Sequence, residues 1–202
     1  VAARLARLSG GRPGDAVALA RAPASLVVRG EVARTLLDLT IAQRADRLRI
    51  ARDLLARTAE MTLALRAPDG SSGGGAQGRG RGRRGTGAGP AAADPASAAV
   101  AAEAEPAGGP AVRVPAAERR AAALALVAIW RDVVRDLALV GLGEPGDVRQ
   151  VDLLDDLEAA SARLPAGFAA AQLRRLDLAG ERLEGNVSPE LVVDALALGW
   201  AA

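Results

Sequence analysis

Apolar positions along this chain recur with a helical period. The densest pattern lies at 116–143, where Val127, Trp130, Val134 and Leu137 form one stripe and Leu126, Ile129, Val133 and Val140 form a second beside it. An apolar arc this wide serves more than one neighbour, so the spacing predicts a central helix with Trp130 in the core. Its charged residues Arg131, Asp132, Arg135 and Asp136 are expected to confine the exposed face to a narrow strip. Gly141-Leu142-Gly143 ends it.

Six further helical segments follow from the same period and from turn chemistry. Leu5 and Leu8 give 2–8 an apolar side, and Ser9-Gly10-Gly11-Arg12-Pro13-Gly14 breaks it. A short helix is expected at 15–21, packing Ala16, Leu19 and Ala20. Ser25 is the expected N-cap of a long helical pattern running to Arg66, with a bend near Thr40. Its apolar side includes Val27, Leu36, Ile41, Leu55 and Leu63, and its other side carries Arg44, Arg47, Arg49, Arg52 and Arg57 beside Asp46 and Asp53, which reads as a solvated face. Downstream, Asp152 is the expected cap of a helix to Arg163, with Asp155 as a capping-box partner. Another helix covers 168–183 through Leu173, Leu176, Leu178 and Ala179. Gly185-Asn186 stops it, because both residues tolerate the left-handed conformation. Ser188-Pro189 then starts a last helix, which packs Leu191, Val192, Ala195, Leu196 and Leu198 and ends before Trp200.

Residues 67–115 differ in kind. They contain DGSSGGGAQGRGRGRRGTGAGP and an Ala-Pro-Glu stretch, and their larger apolar residues are three valines. Such a segment buries too little surface to offset its backbone entropy, so a disordered insertion is expected. No alternating strand with hairpin chemistry occurs, and the fold class is all-α.

Composition narrows the chemistry. The 202 residues contain no His and no Cys, which removes zinc sites, thiol chemistry, Ser-His and Cys-His pairs and the commonest general base. All 26 basic residues are Arg, so no P-loop or Schiff-base lysine exists. The sequence pI near 10.6 reflects this lack of groups titrating between carboxylates and Arg, since the formal net charge is only +2. Charge is uneven: residues 1–66 are basic and 116–202 acidic, so the two parts attract each other. No apolar run reaches a membrane span, and the start has no secretory signal core and no initiator Met. A cytoplasmic chain without membrane contact is expected, forming the C-terminal part of a longer one.

Two groups of residues suggest chemistry. Asp152, Asp155, Asp156 and Glu158 place acids on one helical turn, without the His or calcium-loop glycine of a metal site, and suit an acidic helix N-terminus. Arg79, Arg81, Arg83 and Arg84 lie among glycines and could follow a phosphate backbone, which makes a nucleic-acid-binding helical protein the alternative reading. No triad, dyad or nucleotide loop is assembled, so no catalytic residue, metal ligand or cofactor is assigned.

The order of these pieces resembles the C-terminal half of bacterial DNA polymerase III clamp-loader subunits, most like the delta-prime type. Three motifs carry it: Ser9-Gly10-Gly11-Arg12-Pro13-Gly14-Asp15-Ala16, Trp130-Arg131-Asp132, and Gly185-Asn186-Val187-Ser188-Pro189-Glu190-Leu191. It covers 1–66 and 116–202. The resemblance implies the end of a lid subdomain at 1–23, first collar helices at 24–66, the insertion at 67–115, and the remaining collar helices at 116–202. The collar would hold about five to six helices. ATP-binding relatives carry a phosphate-sensing Arg in the lid where this chain has Gly14, which implies a subunit that does not hydrolyse nucleotide. Structural or interface roles are implied for Trp130, Arg131, Asp132, Val134 and Asn186. Implied partners are the other clamp-loader subunits through the collar, with the sliding clamp and DNA reached indirectly. The family's nucleotide-binding domain, arginine finger and zinc module have no counterpart in these residues, and the insertion has none in the family pattern.

Overall fold

The computed structural model describes residues 2–66 and 115–200, and these form helices joined by turns, with no strand among them. The helices are α1 (Ala2–Leu8), α2 (Pro13–Arg21), α3 (Pro23–Asp38), α4 (Arg44–Arg66), α5 (Ala116–Gly141), α6 (Leu154–Ser161), α7 (Phe168–Glu184) and α8 (Pro189–Leu198). Short 3-10 turns at Pro145–Asp147 and Val151–Leu153 lead from α5 into α6. The expected insertion lies outside the described residues, apart from Pro115, which precedes α5 as its N-cap.

Helix α5 is the axis. Its 26 residues contain no Pro and no Gly before the last position, and at 1.5 Å per residue they extend about 39 Å. Both expected stripes are used: Leu126, Val127, Ile129, Trp130, Val133, Val134 and Leu137 are buried, and Val140 is half-buried. Helices α3, α4, α6, α7 and α8 all pack on it. Gly143, with φ +81°, ends it in a Schellman arrangement. Gly143 N–H donates to Val140 O at 3.0 Å and Glu144 N–H to Leu139 O at 2.9 Å, which satisfies two carbonyls of the last turn.

Several expectations shift. The pattern from Ser25 to Arg66 is two helices, closed between them by Thr40 Oγ1 donating to Leu37 O at 2.7 Å and Ala42 N–H donating to Asp38 O at 3.1 Å. One straight helix of that length would run about 63 Å, well past the end of α5, and folding back lets both halves pack on α5. Leu39 in the turn is buried, whereas Ile41 is exposed. Ser25 is not the cap: α3 starts at Pro23, pre-set for the first helical position, so Ser25 falls inside and is buried. Asp152 does not cap α6 either, because it lies in a 3-10 turn and pairs with Arg4 at 2.5 Å. Asp155 and Asp156 occupy the first turn of α6 instead, where negative charge suits the helix dipole. Ala20, Val27, Leu63, Leu178, Leu191 and Ala195 face outward, since each apolar arc is narrower than its sequence pattern. Gly185 is not left-handed, with φ −77°, and Asn186 alone takes φ +65°.

Candidate functional site

The charges of α5 separate into two environments. Arg131 is half-exposed and pairs with Asp177 on α7. Asp132 and Asp136, by contrast, are not part of an exposed strip. One turn apart, they face the short segment that follows α5, and this corrects the expectation from charge pattern.

Asp132 is clasped by two guanidiniums that are remote in sequence. Arg29 of α3 reaches Oδ2 at 2.5 Å, and Arg149 binds Oδ1. The side chains of Asp132 and Arg29 are only 13% and 14% exposed, so the pair is desolvated enough for its geometry to matter. Arg149 also lies against Gly10, where an added Cβ would stand 2.8 Å from Arg149 Nη2. Gly10 has φ +58° as well, and this left-handed backbone is what favours glycine there.

Asp136 is sealed, with no exposure at all. It accepts from Arg149 N–H at 3.1 Å and from Gln150 N–H at 2.9 Å, and Arg135 Nη1 lies 3.1 Å away. Burial pushes its carboxyl above the ordinary 3.8. The two backbone donors and Arg135 oppose that rise, and Asp132 adds to it. A sealed carboxylate of this kind cannot act on a substrate. What it does is tie the 148–150 segment to α5, using main-chain donors that the sequence does not display.

The remaining residues singled out from sequence are spread across the fold. Trp130 and Val134 are fully buried. Trp130 meets Trp200 edge-on with ring centroids 5.0 Å apart, and Phe168 meets Trp200 at 5.4 Å, so the chain's three aromatic rings form one cluster. Trp200 was placed by sequence merely beyond the last helix, and its role was missed; the shared scarcity of aromatics was the available signal. Asn186 is left-handed, and the following Val187 N–H donates to Arg182 O at 3.0 Å, closing α7. Gly14 lies exposed in the first turn of α2, with open space around the position of a Cβ. Arg79, Arg81, Arg83 and Arg84 lie outside the described residues.

The acids at 152–158 serve ion pairs and a helix end. Asp156 binds Arg34 of α3 at 3.1 Å, and Asp152 binds Arg4 of α1. Among the described residues no group of three or more carboxylates is placed to hold a metal ion. Two arginines of α4 likewise cross between helices, Arg52 pairing with Asp194 of α8 at 3.2 Å and Arg57 with Glu31 of α3 at 3.5 Å, whereas Arg49 pairs along α4 with Asp46 and Asp53. None of the helices there is long and apolar enough to cross a membrane.

Beside the Asp132 cluster a groove of about 720 Å³ opens between α1, α3 and the 149–153 segment. Its aliphatic parts include Leu26, Val27 and Val151, and Arg7, Arg29 and Arg149 are among its six arginines. Residues from the Gly10 turn, the Asp132 cluster and the acidic segment thus converge on one side of the bundle. The chain matches no known family model, no curated protein and no solved structure.

Proposed function

We propose that this chain is a non-catalytic subunit of a DNA polymerase III clamp loader, of delta-prime type, acting in replication by assembling the ring that loads the sliding clamp. The observation that carries this reading is the meeting of two of the resemblance motifs. Gly10, from the Ser9–Ala16 turn, gives room to the Arg149 guanidinium, which in turn holds Asp132 of the Trp130-Arg131-Asp132 element. The motif residues then act as joints between a lid end and a collar rather than as reacting groups. Gly14 supplies no charge to a nucleotide phosphate, in keeping with a subunit that does not hydrolyse ATP.

In this reading Trp130 and Val134 contribute from the core, and the contact with sister collars is made by exposed side chains. Leu178 and Ala195 border one shallow pocket between α7 and α8, and Leu191, 66% exposed, lies one turn before Ala195. Apolar residues in such a patch lose little in the monomer and gain on burial against another helix. Mixing the chain with the remaining loader subunits and separating by size is the test. Co-elution that Leu191→Asp weakens at least tenfold is the expected result. A chain that stays monomeric beside them at micromolar concentration refutes the proposal.

A further inference from the structure

We infer that the groove between α1, α3 and the 149–153 segment docks an acidic amphipathic helix of a partner protein. The groove shares no lining residue with the α7–α8 patch, so the inference does not rest on the clamp-loader reading.

The charge of the groove is unevenly balanced at its inner end. One carboxylate, Asp132, faces two guanidiniums, Arg29 and Arg149, which leaves a positive charge in excess where water has partial access. Two donors of groove-lining residues, Arg29 Nε and Gln150 Nε2, are buried without an acceptor among the described residues. On α1, Arg7 is exposed and makes no ion pair among the described residues. A carboxylate is the group that neutralises such a surplus, and between low-dielectric walls its attraction to the site is strengthened.

The walls decide what carries that carboxylate. Val27 is 61% exposed and Val151 49%, and Leu26 lines the groove with them, so the surface offers aliphatic contact. No aromatic ring lines it, which removes the platform on which nucleic-acid bases stack. Asp38 also borders it and would repel a phosphate backbone, whereas a helix can place a basic residue opposite it; Glu31 and Asp152 are already paired with Arg57 and Arg4. Apolar anchors at helical spacing, flanked by Glu or Asp, fit both features.

The test uses the full chain and a fluorescein-labelled peptide of about four helical turns. It carries Leu at i, i+3, i+4 and i+7 and Glu on the flanks. An Arg-for-Glu version of the peptide and a single-stranded DNA oligonucleotide of equal charge are the comparison probes. Anisotropy is expected to show the Glu peptide binding at least about tenfold more tightly than either, with stronger binding at low salt. Val27→Asp should weaken it at least tenfold and Arg7→Glu severalfold. Both sites are exposed, so the variants should unfold at the temperature of the parent chain. Equal binding of the Arg peptide, or no effect of Val27→Asp, overturns the inference. Tighter binding of the oligonucleotide, or self-association of the chain that Val27→Asp abolishes, also overturns it by assigning the groove to nucleic acid or to a second copy.

Discussion

Two regions of α5, within two turns of each other, are built on opposite principles. Around Trp130 the contacts are apolar: an indole with no exposure meets Trp200 and, through it, Phe168. Around Asp132 and Asp136 they are polar, and the acids gather Arg29, Arg149 and two backbone donors. The first region joins α5 to the end of the chain by surface removed from water. The second joins it to α3 and the following segment by ion pairs and backbone hydrogen bonds. Apolar contact is non-directional, whereas a buried carboxylate is costly unless its donors are in place, so the polar region sets the path of the chain by direction as well as by distance.

Substitutions can break this contrast. The largest loss is expected from Trp130→Ala, about 3–5 kcal/mol in chemical unfolding, since it removes a fully buried indole packed edge-on against Trp200. A near-unchanged midpoint would show that the apolar region is peripheral. Asp136→Ala should follow at about 2–4 kcal/mol, because it leaves the Arg149 and Gln150 amides without an acceptor, partly offset by no longer burying a charge. A loss larger than that of Trp130→Ala would reverse the ranking of the two regions.

The polar region can also be separated by pH. Burial raises the Asp136 carboxyl above 3.8, so the stability linked to its titration is fully present below that value and fades as pH rises through the folded one. Asp136→Asn removes the titration. The wild type should therefore gain on the variant as pH is lowered through that window, and their difference should be level above it. A difference that instead grows with rising pH would mean that the backbone donors outweigh burial.

The smallest effect sets the scale for local backbone preference, with neither packing nor buried charge involved. Asn186→Ala should cost about 1 kcal/mol through its left-handed φ, and Asn186→Gly should be neutral or slightly stabilising. Equal losses for both would place the value of Asn186 in its side chain instead.

Most of the helical order was readable before any coordinates. Pro189, Gly143 and Asn186 mark ends by their backbone preferences, and the two stripes of α5 already required neighbours on more than one side. The turn at Thr40 was read only as a bend, because neither Gly nor Pro marks it and the helical pattern continues across it. The polar region was misread. Asp132 and Asp136 sit at spacings typical of a solvated strip, and nothing local distinguishes a carboxylate in water from one enclosed by an arginine 103 residues upstream.

By itself, then, the sequence determined the all-helical class, most helix ends and the central place of α5, because period and turn chemistry act over a few residues. Only the tertiary structure decided which acids are buried, that the three aromatic rings meet, and that Gly10, Arg29, Asp132 and Arg149 share one site beside a groove. Those outcomes depend on long-range packing. A charge takes its energy from what surrounds it, and for these residues the surroundings come from three distant parts of the chain.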